Sequence, residues 1–357
     1  MSLKFKPSVE VLESRENPSA VSYDAVNNII VYSGDTGEAN NVTVSGNGNS
    51  VSIQDTGAGP ISVPLADVAN FNVNGNTVTY VGMAQVVKVQ VNGNDGNDSI
   101  SAGGLIGILF EGNGGDGNDT IMGTAGKDLL NGNAGNDILM GRGDEDELRG
   151  GADNDNLYGE DDLSGDAGGG IDKDLLFGDA GVDALFGNRG DDELNGGSDT
   201  DNLFGGHGED ELTGGAGHDL LFGGEDRDFL MGGSGNDTMF GGNGNDELWG
   251  GDDNDAIYGE AGTDALAGNS GNDGLFGGLG GDTLNGDEGN DVVQGDEGAD
   301  FIYGGAGDDT LIDGTSPTAT DLFIDVLVDT QGSNILYLGT EWDYLNCNPT
   351  DDVHWLP

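Results

Sequence analysis

Cysteine is almost missing: Cys347 is the one example in 357 residues. A single thiol closes no disulfide within the chain, so a disulfide-stapled fold is excluded. Cys347 is read as incidental, with an intermolecular bridge as the other option. Basic side chains are nearly as scarce, 10 Lys and Arg against 67 Asp and Glu. The resulting net charge of -57 leaves no basic footprint for nucleic acid. No apolar run is long enough to span a membrane as a helix. Histidine occurs only at His207, His218 and His354, and no His-Glu-x-x-His is present, so zinc hydrolysis is unsupported. A Gly-x-Ser-x-Gly nucleophile turn is missing as well. No catalytic residue is assigned, and the chain is not expected to be an enzyme.

Glycine and aspartate are what the chain has in excess, and they are periodic. An Asp recurs every nine residues at Asp174, Asp183, Asp192, Asp201, Asp210, Asp219, Asp228, Asp237, Asp246, Asp255, Asp264, Asp273, Asp282, Asp291, Asp300 and Asp309. An earlier run holds Asp119, Asp128, Asp137, Asp146 and Asp155. Two residues after each Asp comes an apolar residue, from Ile121 and Leu130 to Ile302 and Leu311. Glycine-rich hexamers such as Gly214-Gly215-Ala216-Gly217-His218-Asp219 lie between them.

A fixed period of nine is a repeat architecture. Each unit divides into six turn residues, where glycines take positive φ cheaply, and a three-residue strand. In a strand the middle residue points opposite to its neighbours, so the apolar residue faces inward. Two units then close one turn of a flattened coil, and turns stack about 4.8 Å apart. Like loops stack along each edge, so their carboxylates form two columns of like charge. Such columns need cations between them. Carboxylate and backbone carbonyl oxygens in a flexible loop suit calcium, suit magnesium less and zinc hardly at all.

These residues resemble the RTX family, whose calcium-binding nonapeptides of Gly-Gly-x-Gly-x-Asp-x-apolar-x form build a parallel β-roll. The match runs over roughly Asp116 to Asp313. The resemblance implies an all-β fold, a calcium-stacked solenoid with multiple Ca2+ ions, whose metal ligands are the aspartates named above.

The ends read differently. Residues 1–20 are taken as an export-associated tail, because Leu12-Glu13-Ser14-Arg15-Glu16-Asn17-Pro18-Ser19-Ala20 resembles a motif near the start of many exported planctomycete proteins. Residues 21–115 are expected to be β-rich and to cap the roll, a separate β-sandwich being the alternative. Strands are expected at 28–32, 42–45, 51–54, 78–81 and 86–91, with turns at Asn47-Gly48, Asn74-Gly75 and Asn92-Gly93. Asp98 and Ile100 repeat the Asp–apolar rule once. The roll itself is placed at 116–313. Its rhythm breaks over 156–173, where Asp161 and Leu163 look like a shortened unit before a loop from Ser164 to Lys173. Residues 314–357 are expected to form a C-terminal cap, with a hairpin made from 322–328 and 335–338.

One outward position carries a second pattern. Every eighteen residues it reads Phe186, Phe204, Phe222, Phe240, Tyr258 and Phe276, while the opposite face is mixed and carries Glu193, Glu211 and Glu247. The aromatics either stack on one another for local stability or form a face for self-association or a ligand. The sequence therefore reads as a secreted or cell-surface calcium-binding β-roll that folds on meeting extracellular calcium and serves as a structural or interaction module. An exported enzyme, toxin or adhesin with its active part in residues 21–115 is the alternative.

Overall fold

The computed structural model describes residues 20–24, 29–34, 39–47, 50–56, 71–74, 77–80, 86–160, 173–314, 326–328, 333–338, 344–346 and 352–355. The export-like motif at 12–19, Asp161, Leu163 and Cys347 lie outside them. No helix occurs among the described residues, and none therefore is long and apolar enough to cross a membrane. Strands alternate between two sheets, and each pairs in parallel with the strand one full turn on. Glu193–Ser198 pairs with Glu211–Ala216, placing Leu194 beside Leu212, and Asn202–His207 pairs with Leu220–Glu225 on the other sheet.

The strands are longer than expected. Glu193–Ser198 has six residues rather than three, because Gly197 and Ser198 stay in register with Gly215 and Ala216. Gly197 reaches this pairing at φ 112°, a value that glycine takes without a Cβ clash. The true turn is only Asp199, Thr200 and Asp201. Within each strand the burial alternates, and the second residue, such as Leu194, Leu203 or Leu212, is essentially buried. The core is thus two rows of Leu-sized side chains, one row per sheet. Each nine-residue unit adds one such side chain, worth roughly 1.5–3 kcal/mol.

The irregular stretch does not interrupt the stack. Glu147–Ala152 pairs with Leu175–Ala180, and Asn156–Glu160 with Ala184–Arg189. Partners such as Leu148 and Leu176 are 28 residues apart here instead of 18.

Roll-type pairing also extends upstream of residue 116. Ile29–Ser33 lies parallel to Lys88–Asp95, which lies parallel to Leu109–Asp116; Asn41–Asn47 lies parallel to Ser99–Ile106. Antiparallel pairs finish this end: Asn41–Asn47 with Ser50–Asp55, and Phe71–Asn74 with Thr77–Tyr80. Asn92-Gly93, expected as a turn, sits inside the strand Lys88–Asp95.

The C-terminal hairpin is not formed. Val326–Val328 pairs in parallel with Phe301–Ala306 on one sheet, and Ile335–Leu338 with Thr310–Ile312 on the other. The two runs are successive rungs of the coil, because each supplies one inward residue, Leu327 and Leu336. Apolar content alone does not distinguish a rung from a hairpin arm.

Candidate metal centre

The sequence places an Asp immediately before each strand, and the stack turns these into two buried columns. One column holds Asp128, Asp146, Asp174 and the alternate members up to Asp300; the other holds Asp119, Asp137, Asp155, Asp183 and on to Asp309. Every one of the 21 expected aspartates is buried. The first carboxylate oxygen has a fixed task. The N–H of Asp219 donates to Oδ1 of Asp237 at 2.8 Å, and the N–H of Asp201 donates to Oδ1 of Asp219 at 2.8 Å. The same bond bridges the irregular turn, from Asp146 N–H to Asp174 Oδ1 at 2.8 Å.

The second oxygen is the one with no task. In Asp137, Asp201, Asp219, Asp237, Asp264 and most other column members, Oδ2 is buried and accepts no hydrogen bond. It points at a glycine of its own loop and at a carbonyl of the next turn. A Cβ placed on Gly214 would stand 2.6 Å from Asp219 Oδ2 and 2.7 Å from the Gly232 carbonyl oxygen. On Gly277 it would stand 2.6 Å from Asp282 Oδ2 and 2.6 Å from the Gly295 carbonyl oxygen. The glycine therefore leaves a small space walled by oxygen, between the loop 214–219 and the loop 232–237. Calcium takes oxygen ligands at about 2.3–2.6 Å in flexible geometry. An unsatisfied buried carboxylate oxygen beside an inward-turned carbonyl fits that ion. No three acidic, His or Cys side chains converge among the described residues. Each donor set is one carboxylate plus backbone oxygen, which also argues against zinc.

The electrostatics agree. Burial pushes the Asp146 carboxyl up to about 10 and that of Asp192 to about 9, with neighbouring column carboxylates adding to both. Asp155, Asp228 and Asp255 are raised to about 8, again chiefly by burial. Carboxylates raised this far by burial and like charge would be favoured in their ionised form by a cation beside them.

Filling the space should remove the site. Gly214→Ala is expected to weaken calcium binding in a titration and to lower Tm, at roughly 1–3 kcal/mol for the overpacking alone. Gly281→Ala, whose added Cβ would meet only Ala299 O at 3.3 Å, is the control and should change little. Unaltered calcium affinity in Gly214→Ala would show that the space is not the site.

Some expected residues behave differently, and some were not expected. Asp128 is held by Thr124, whose N–H donates to Oδ2 at 2.5 Å and whose hydroxyl donates to Oδ1 at 3.0 Å. Its second oxygen is thus engaged, unlike that of Asp146 in the next turn. Asp98 joins the column above Asp119: its N–H donates to Asp119 Oδ1 at 2.7 Å. Two asparagines close the ends of this column. Asn40 Nδ2 donates to Asp98 Oδ1 at 3.1 Å, and Asp309 N–H donates to Asn334 Oδ1 at 2.6 Å. An amide supplies the acceptor or donor without the charge. The signal was in the sequence: Asn40-x-Val42 and Asn334-x-Leu336 keep the Asp-x-apolar rule with Asn in the first place.

The residue before most Asp of this column forms a further ladder. Asn254 N–H donates to Asn236 Oδ1 at 2.9 Å, and Asn272 N–H to Asn254 Oδ1 at 2.7 Å. His218 takes part through Nδ1, which accepts the Asn236 N–H at 2.8 Å. Its ring is thus a rung of that ladder.

A model of four copies of the RTX calcium-binding nonapeptide repeat matches residues 90–104, 113–148, 168–203, 177–212, 204–239, 240–275 and 276–311, more than half of the chain. The chain belongs to that family. RTX repeats bind calcium, and this chain carries multiple Ca2+ sites in a parallel β-roll. The RTX match begins at residue 90, in line with the upstream rungs. No curated protein matches the chain.

Proposed function

We propose that this RTX roll is a secreted structural module that folds when its columns load calcium outside the cell. The buried, unsatisfied Oδ2 atoms carry the reading, each beside a carbonyl of the next turn. Asp119, Asp137 and Asp155 through Asp309, and Asp146 through Asp300, would hold the ions with backbone carbonyls such as those of Gly232 and Gly295. Asp98 is added to that set. The ion supplies the positive charge between turns; the chain's own residues place the oxygens and exclude water. The RTX family is typical of secreted proteins, and extracellular modules work at about 10⁻⁴–10⁻³ M calcium. That concentration supports folding outside a calcium-poor cytoplasm, at the cell surface or beyond. A scaffold rather than a catalyst is favoured because the buried carboxylates are repeated without a distinct pair.

Elemental analysis of the dialysed full chain tests the ligand assignment. The stacking bonds define eleven pairs in one column and nine in the other. Counting only the two unbroken nine-residue runs gives about 17 such pairs, by two units per turn. The bridged irregular turn and Asp98 supply the difference. Calcium should approach the stacking-bond count per chain at saturation, less the Asp128 pair, whose second oxygen Thr124 holds. One or two ions per chain would end the proposal.

A further inference from the structure

The rungs upstream of the roll are built differently inside. Asp128 is in register with Phe110, Phe110 with Val89, and Val89 with Ile30. The carboxylate column on that edge therefore continues upstream as three buried apolar side chains. Each upstream strand also encloses more apolar surface. Ile29–Ser33 buries Ile30 and Tyr32, Asn41–Asn47 buries Val42 and Val44, and Lys88–Asp95 buries Val89 and Val91. A roll strand such as Asn202–His207 buries Leu203 and, at its other inward place, only Gly205. That glycine is the one that leaves the cation space, beside Asp210 Oδ2 and the Gly223 carbonyl.

Polar groups at this end find hydrogen-bond partners within the chain. In a roll loop the cation space lies between Oδ2 and a carbonyl of the next turn, two acceptors that face each other. At Gly34 the same place holds Asn40 Nδ2 and the Gly93 carbonyl oxygen, each 2.5 Å from an added Cβ. Here Nδ2 donates to that oxygen at 3.2 Å, so an amide hydrogen stands where a roll loop needs an ion. Asp55 is buried, yet both its oxygens are bonded, by the Tyr32 hydroxyl at 2.7 Å and the Asn41 N–H at 3.3 Å. On the other edge Asp128 accepts two bonds from Thr124 and one from the Phe110 N–H. The cause is local. The second hexamer residue takes positive φ at Arg142, Asn188, Gly206 and Asp296, whereas β-branched Thr124 does not. Its strand, Thr120–Met122, stops after three residues, and the Thr124 N–H turns onto Oδ2.

We propose that these upstream rungs fold without calcium and form the fixed end from which the roll is laid down, a reading that rests on calcium-dependent folding of the roll itself. The metal requirement begins where Oδ2 is buried and unmatched, at Asp98 on one edge and Asp146 on the other. Upstream of those points two buried side chains per strand, in place of one, offset the cost of ordering the backbone. The folded end then offers Leu109–Asp116 as a ready edge for Asp128–Ala134, the first roll strand on that sheet. Each turn that loads calcium presents an edge to the next, so assembly runs from there toward Thr310–Ile312.

Hydrogen exchange of the full chain, read by mass spectrometry in excess chelator at pH 8 and low salt, tests this. Amides of Ile29–Ser33, Asn41–Asn47 and Lys88–Asp95 should stay protected, while those from Leu175–Ala180 to Thr283–Glu288 exchange freely. As calcium is added in steps, protection should appear first in Asp128–Ala134 and Ile138–Arg142 and last at Thr310–Ile312. Val91→Ala hollows the upstream core and spares every column Asp. It should lower upstream protection in chelator at least about tenfold and move roll folding to higher calcium. Leu284→Ala, far along the roll, should leave upstream protection in chelator unchanged. If Val91→Ala unfolds the upstream rungs even in calcium, Ile30→Val replaces it and should lower protection to a lesser degree. Upstream amides that exchange freely in chelator overturn the inference. So does protection that first appears at Thr310–Ile312, and so does upstream protection that responds equally to Leu284→Ala. Failure of the calcium-folding proposal reads differently: the roll then keeps its protection in chelator, and the boundary at Asp98 and Asp146 disappears with it.

Discussion

Excess chelator at pH 8 and low salt is expected to remove most of the β circular dichroism, and added calcium to restore it. The cause lies in the columns. More than a dozen buried Oδ2 atoms accept no hydrogen bond from the protein. Leaving a buried acceptor unmet costs about 1–3 kcal/mol, and more when it is charged. Summed along the roll, that reaches tens of kcal/mol, against the 5–15 kcal/mol of net stability a domain typically keeps. The core has little to set against it, one Leu-sized side chain per unit. Because each turn rests on the next, loss should spread along the stack rather than stay local. A chain that keeps its full β spectrum in chelator under these conditions would refute metal-dependent folding.

Acidification of the metal-free chain should have the opposite effect. The column carboxyls have folded values raised by burial, to about 6 for Asp237, about 7 for Asp264 and about 10 for Asp146. The unfolded values stay near 4. Between these limits the folded chain binds more protons than the unfolded one, so its stability falls as pH rises. Protonation turns a buried anion into a neutral acid that can donate a hydrogen bond to the facing carbonyl. At pH 5, still above the isoelectric point of about 4.1, the chelated chain should therefore show more β structure than at pH 8. With calcium present the sign reverses, since protons compete with the metal for the same oxygens. Less β structure at pH 5 than at pH 8 in chelator would contradict the assignment of these values to the columns.

The period of nine carried most of this into view beforehand, because it acts on every unit alike. It placed Leu194 and Leu212 inside and Asp201 and Asp219 at one edge, where the strands confirm them. What it could not carry were events that happen once. Thr124 captures Asp128 through a local turn with no periodic trace. Asp98 stands 21 residues before Asp119 because the rung Ser99–Ile106 is longer than its successors. Asn40 and Asn334 close a column by replacing one atom of the motif residue. The C-terminal runs looked like a hairpin because the period breaks before them: Asp325-x-Leu327 and Asn334-x-Leu336 keep the rule, but their rungs pair 25 residues on instead of 18.

Consecutive units go to opposite sheets, and this gives the repeat a parity. Every unit offers the same Asp and the same inward residue, so neither core nor columns would register the loss of a single unit. The outside would. Removing nine residues ahead of Phe204 would carry each later ring onto the sheet that holds Glu193 and Glu211, and would cut the aromatic row in two. Eighteen residues, or the 28 between Leu148 and Leu176, leave sidedness unchanged. The inner structure thus counts by ones, while the surface can lengthen or shorten only by twos. The eighteen-residue recurrence of the rings is that parity seen from outside.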